Sequence, residues 1–149
     1  MRALVWRSED DTRAFAQQLA AQPSVRNAII ELSGDLGAGK TTLARHLLRA
    51  LGVVGRVKSP TYAVVEPYEL EGLNIWHFDF YRFNDPREWE EAGFRELFAS
   101  PGLKISEWPE NAAGVLPKAD LVIALTVGDD DFRLAKLRAQ TAVGVALLP

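Results

Sequence analysis

Apolar residues return along this chain at two different periods, and the switching between them outlines the elements. Ala3 to Trp6 is a short apolar stretch of strand type. Thr12, Phe15, Ala16 and Leu19 then recur at helical spacing, preceded by Ser8 and Asp11, three residues apart as in a capping box. Pro23 closes that helix. Ala28-Ile29-Ile30-Glu31-Leu32 is a β-branched run bounded by a glycine-rich turn, which reads as a buried central strand. From Lys40 the spacing is helical again, with Leu43, Leu47, Leu48 and Leu51 on one stripe and Gly52 as its stop.

The second half reads mostly as hairpins. Tyr62 to Glu66 and Asn74 to Asp79 flank a turn at Glu71-Gly72. Asp85-Pro86-Arg87-Glu88 combines an N-cap, a proline at the first helical position and an acid at the third, and predicts a helix burying Trp89, Ala92, Leu97 and Phe98. Leu103 to Ser106 is a short strand leading into Glu107-Trp108-Pro109. Leu121 to Val127 and Phe132 to Arg138, joined by Gly128-Asp129-Asp130-Asp131, form a second hairpin. Thr141 to Leu148 fits strand or helix. Strand, loop and helix early with hairpins later imply a three-layer α/β unit around a mixed central sheet. No repeat or linker-like tract interrupts the 149 residues, so a single domain over 1–149 is expected.

Composition narrows the classes. With 48% apolar and 25% charged residues, the chain is an ordinary globular sequence and not a disordered, collagenous or coiled-coil one. A net charge of −3 offers no global basic field for nucleic acid. The absence of cysteine excludes disulfides, zinc-thiolate sites and thiol chemistry. The longest apolar runs are too short to span a bilayer, and the first residues lack the apolar core of a secretory signal. The cytoplasm is the expected location, with no membrane partner.

Chemistry concentrates in Gly34-Asp35-Leu36-Gly37-Ala38-Gly39-Lys40-Thr41, which matches the phosphate-binding pattern G-x-x-x-x-G-K-[ST] at every fixed position. A buried strand precedes it and an amphipathic helix follows. Glycines let backbone N–H groups turn inward around a polyphosphate, and the helix start adds unpaired N–H groups and the positive end of its dipole. In such loops the lysine, here Lys40, bridges the outer phosphates, and the hydroxyl, here Thr41, ligates Mg²⁺.

Other residues are open to two readings. Asp79 ends an apolar stretch where a Walker-B aspartate would emerge, or it caps a strand end. Glu107 is a second strand-end carboxylate, able to reach a metal or simply solvated. Thr61 in Lys58-Ser59-Pro60-Thr61 stands where GTPase-like proteins carry a switch threonine, although Ser-Pro-Thr is also an ordinary turn. His77, between Trp76 and Phe78, reads as a structural histidine instead of a general base. His46 is the only other histidine, and no metal-ligand spacing exists. Arg45, Arg49, Arg56 and Lys58 form the best basic patch for a phosphate backbone or an acidic partner, unless they are a solvated helix face. Trp108, beside Glu107, is a candidate lining residue. Pro117-Lys118-Ala119-Asp120 lacks the asparagine of the guanine-reading signature.

Taken together, Gly34 to Thr42, Lys58-Ser59-Pro60-Thr61-Tyr62, His77-Phe78-Asp79-Phe80-Tyr81-Arg82 and Glu107-Trp108-Pro109 resemble the TsaE family in order and spacing. The resemblance implies a P-loop ATPase needed for N6-threonylcarbamoyladenosine in bacterial tRNA, using ATP and Mg²⁺. It implies Thr41 and Glu107 as metal ligands, Thr61 as a switch-like threonine, Asp79 as an acid needed for hydrolysis and Trp108 as a functional neighbour. Thr42 extends the loop motif, and Glu9 to Thr12 and Arg133 are implied to approach the nucleotide. The implied partners are a threonylcarbamoyl-transferase subunit and its inactive paralogue, of the TsaD and TsaB type, with tRNA met indirectly. A stand-alone small-molecule kinase and a non-catalytic nucleotide-gated module are the alternatives; no arginine-rich lid is present to favour the first.

Overall fold

A computed structural model describes residues 1–149. Seven strands form one mixed sheet: β1 (Arg2–Trp6), β2 (Ile29–Ser33), β3 (Val65–Leu70), β4 (Leu73–Asp79), β5 (Leu103–Glu107), β6 (Leu121–Val127) and β7 (Arg133–Ala139). Their spatial order is β1-β7-β6-β2-β5-β4-β3, which puts the β-branched run of β2 at the centre. β2 runs parallel to both its neighbours, and β4 runs parallel to β5. The remaining pairs are antiparallel. Five helices accompany the sheet: α1 (Glu9–Ala20), α2 (Lys40–Leu51), α3 (Arg87–Glu91), α4 (Phe94–Ala99) and α5 (Ala142–Leu147).

Alternation along the strands sends side chains to two faces. On one face Ile30 and Leu32 of β2, Ile105 of β5, Ile123 and Leu125 of β6 and Leu137 of β7 pack with Phe15 and Leu19 of α1, Leu43, Leu47 and Leu48 of α2, and Leu147 of α5. On the other, a smaller cluster joins Phe78 and Phe80 to Trp89 of α3 and to Phe94 and Phe98 of α4, with Phe78 and Phe98 stacked at 4.7 Å. The fold is thus an α/β sheet with helices on both faces. The second layer lies over β4 and its neighbours, whereas the same face of β7 presents the exposed Lys136 and Arg138.

Three local expectations need correction, and one left open is resolved. The first hairpin strand begins at Val65 and not at Tyr62: the Val64 N–H reaches back to the Pro60 carbonyl with a left-handed φ of 70°, so the chain is still turning there and Tyr62 is left exposed. The helix expected after Asp85 is divided at Gly93, whose φ of 77° ends α3 and starts α4 in a new direction. That break swings Phe94 into the aromatic cluster and leaves Ala92 exposed. Ser8 caps α1 without a side-chain hydrogen bond, and Asp11 accepts instead from the Arg7 N–H at 2.8 Å. The ambiguous tail is helical. Thr141 caps α5 by accepting from the Gly144 N–H and donates to Asp120, which in turn accepts from the Ile29 N–H. Asp120 therefore clamps the tail to β2.

Gly144 marks the closest approach in that clamp. A Cβ placed there would lie 1.8 Å from the Asp120 carbonyl oxygen, so α5 could not stay where it is. Gly144→Ala is expected to destabilise the protein by about 1–3 kcal/mol, as overpacking against fixed backbone does. A lowered midpoint in chemical denaturation checks this.

Candidate functional site

The glycine-rich loop joins the end of β2 to the start of α2, and its shape is set by close backbone packing. Gly34, at φ 142°, lies so near β6 that a Cβ would meet the Leu125 carbonyl oxygen at 2.4 Å. Gly39 at φ 107° forms the N-cap of α2, a conformation that a residue with Cβ rarely adopts. Between them the Ala38 N–H closes a turn onto the Asp35 carbonyl, while the N–H groups of Gly37 and Gly39 donate to no backbone carbonyl. Together with the free N–H groups of the first turn of α2, they form a concave donor surface of the kind that accepts anions.

Lys40 is buried within this loop. Its Nζ donates to the carbonyls of Gly34 and Asp35, the latter at 3.0 Å, and lies 4.2 Å from the centre of the Trp108 ring. Burial pushes the ammonium below the usual lysine range, and nearby Glu107, Glu110, Asp79 and Asp35 oppose that shift. Trp108 reaches this position through a left-handed backbone, φ 56°, directly after β5.

The parallel register of β4 and β5 places Asp79 opposite Glu107. Both are buried, at 5% and 2% exposure. The Thr41 hydroxyl donates to Glu107 Oε1 at 2.9 Å, and His77 Nε2 lies 2.6 Å from Oε2. The Thr61 hydroxyl donates to Asp79 Oδ2 at 3.1 Å, and the Tyr81 N–H donates to Oδ1 at 2.9 Å. Burial raises the Asp79 carboxyl above its ordinary value; the Tyr81 N–H, Thr61 and His77 work against that, and the Glu107 charge adds to it.

A cavity of about 290 Å³ opens among Lys40, Thr41, Thr61, Asp79, Glu107 and Trp108. A second, of about 490 Å³, lies beside it between Glu9, Thr12 and Ala38, and both are lined by Gly39, Thr42 and Arg133. A phosphate chain fits the donor surface at the loop. A hydroxyl beside two carboxylates also suits a hard, oxygen-seeking divalent ion. No three His, Asp or Glu side chains gather into a ready-made metal cage. An ion held here would draw most of its ligands from phosphate and water, as Mg²⁺ does in nucleotide sites.

A family model described as threonylcarbamoyl adenosine biosynthesis protein TsaE matches residues 6–135. The chain belongs to the TsaE family. The "tRNA threonylcarbamoyladenosine biosynthesis protein TsaE" of Haemophilus influenzae is 43% identical over 132 residues, spanning 89% of this chain and 83% of that protein. Its namesake from Bacillus subtilis is 35% identical over 135 residues, spanning 89% and 84%. The fold is similar to the crystal structure of Bacillus subtilis YdiB, with a TM-score of 0.81 at 27% identity, covering 98% of this chain and 91% of that one.

Within this TsaE fold, Lys40, Thr41, Thr61, Asp79, Glu107 and Trp108 meet at one cavity although they come from four separate segments. Leu36 and Gly37 line it too, whereas Gly34 and Asp35, at the start of the loop, do not line it and supply the carbonyls that hold Lys40. Glu9 borders the second cavity, 3.6 Å from His46, and Arg133 spans both while its guanidinium donates to the carbonyls of Asp131 and Gly37. The basic residues Arg45, Arg49, Arg56 and Lys58 line neither cavity, and Arg49 instead caps the end of α2 through the Val53 carbonyl. Sequence reasoning passed over Trp6, Ser8 and Asp131 in the second cavity and Tyr81 in the first. Tyr81 lies two residues after Asp79, Ser8 adjoins Glu9 and Asp131 lies two residues before Arg133, so each had a nearby signal, whereas Trp6 had none.

The raised Asp79 carboxyl makes a directional prediction. A carboxyl raised on folding favours the folded state at low pH, and that contribution is lost as pH rises through the folded-state value. Asp79→Asn keeps an acceptor for Tyr81 and a partner for Thr61 but removes the buried charge. The ligand-free variant is expected to melt above the wild type at pH 7, with the gap closing as pH falls into the ordinary carboxylate range. Thermal melts across pH check both the sign and the trend.

Proposed function

We propose that this protein hydrolyses ATP, with Mg²⁺, as a subunit of the machinery that makes N6-threonylcarbamoyladenosine in tRNA. The observation that supports the reading is the meeting of the Lys40 loop with Thr41–Glu107 and Asp79–Thr61 around a single cavity. TsaE membership adds the pathway.

In this reading Lys40 exchanges the Gly34 and Asp35 carbonyls for phosphate oxygens of ATP, and the N–H groups of Gly37, Gly39 and the α2 start hold the rest of the chain. Thr41 and Glu107 hold Mg²⁺, which when bound neutralises charge on the phosphates. Asp79, buried and already accepting from Thr61, orients the attacking water and ties that step to the loop at Lys58–Tyr62. Arg133 and Glu9 border the space left for nucleoside. Beyond the two adjoining cavities the chain has little room for a substrate domain, which leaves the modification chemistry to other proteins. The partners are a threonylcarbamoyl-transferase subunit and its inactive paralogue, of the TsaD and TsaB type, with tRNA engaged through them. ATP turnover resets that complex and is slow until partners order the Thr61 loop.

Titration calorimetry and phosphate release test the site. Lys40→Ala is expected to abolish tight ATP binding. Thr41→Ala and Glu107→Ala are expected to lower Mg²⁺-dependent hydrolysis about a hundredfold or more. Full hydrolysis by the Lys40 variant overturns the assignment. A pull-down with ATP and Mg²⁺ is expected to retain the transferase pair.

A further inference from the structure

His77 carries an asymmetry that packing alone does not explain. The ring is 1% exposed, between the core residue Ile75 and the acid Asp79 on β4. Its in-register neighbour on β5 is the apolar Ile105, and Glu107 lies two residues further along that strand. One ring nitrogen, Nε2, is 2.6 Å from Glu107 Oε2; the other, Nδ1, is buried with no partner. A carboxylate only accepts, so with Glu107 ionised the proton of this bond resides on Nε2. An aliphatic side chain would fill such a position without burying an orphaned nitrogen. The ring touches neither cavity, which excludes contact with reacting atoms.

The bond divides the labour of Glu107. Oε2 is fixed by His77, so Oε1 is the oxygen turned to the Thr41 hydroxyl and the cavity. Strand packing holds the ring, and the ring therefore holds the carboxylate. We propose that His77 is a positioning residue that pins Glu107 in the one orientation that pairs it with Thr41 to receive a divalent ion. This rests on the reading of Thr41 and Glu107 as the magnesium-holding pair. A partner behind a metal ligand is commonly worth a tenfold or greater change in metal affinity.

Two measurements test it. Nitrogen–proton NMR of the wild-type imidazole, without nucleotide, is expected to show the Nε2–H tautomer with a slowly exchanging proton; an Nδ1–H tautomer overturns the proposal. Calorimetry of ATP binding is then run with and without Mg²⁺ on two variants. His77→Asn, whose amide cannot reach the Nε2 position, is expected to leave Mg²⁺-free ATP affinity unchanged and to raise the Mg²⁺ requirement about tenfold. His77→Gln, whose amide nitrogen does reach it, is expected to restore the requirement to within about threefold of wild type. An unmoved requirement in the Asn variant, or equal losses in both variants with and without Mg²⁺, overturns the positioning role alone. Wild-type protein that binds no ATP overturns the nucleotide reading and this proposal with it.

Discussion

Two carboxylates held side by side out of water demand compensation, and that demand organises this protein. Asp79 and Glu107 leave neighbouring parallel strands in register and are both buried, so each would be costly if left bare. Compensation comes from four donors on three pieces of chain: Thr41 at the start of α2, Thr61 in the loop before β3, and His77 and the Tyr81 N–H within β4 and just after it. The nearest buried cation, Lys40, belongs to the glycine-rich loop. One electrostatic problem at the strand ends thereby ties the start of α2, the loop before β3 and the end of β4 to the cavity, while Arg133 of β7 reaches it through the Gly37 carbonyl.

The two apolar clusters hold these segments from opposite sides. On the larger one, Leu43, Leu47 and Leu48 of α2 seat the helix whose first turn ends the loop. On the smaller one, Phe78 and Phe80 alternate with Asp79 and Tyr81, so one extended stretch sends aromatic rings to α3 and α4 and polar groups to the site. The Phe80 N–H donates to the Glu107 carbonyl and prolongs the β4–β5 pairing past the acids. Tyr81 then packs against Trp108 with ring centres 5.1 Å apart and planes tilted at 47°, and the indole in turn lies over Lys40.

The family match begins at Trp6, on the wall of the second cavity, and ends just beyond Arg133, which borders both. Membership of the TsaE family therefore spans the segments that build the two cavities. The helix α5 lies outside the matched stretch, and its visible work is structural: Leu147 joins the main core and Thr141 locks onto Asp120. Asp120, whose setting superficially echoed a base-reading motif, serves as a clamp between β2 and the tail.

Much of this was legible in the chain because the forces involved are local. The period of Leu43, Leu47 and Leu48 fixes α2, the β-branched run at Ile29–Ile30 fixes a central strand, and the spacing of Gly34, Gly39, Lys40 and Thr41 fixes a loop that only glycines can fold. Boundaries set by a single dihedral were not legible, as at Val64 and Gly93, because the turn is chosen by what the following residues can bury. Nor was the role of His77: in one dimension it is a histidine among aromatics, thirty positions from the acid it holds. The sequence by itself determined which residue types were available to bind an anion and a hard cation. Only the parallel register of β4 on β5 decided that Asp79, His77, Glu107 and Thr41 act on one another, since strand pairing between distant segments follows from how the whole sheet buries its two faces.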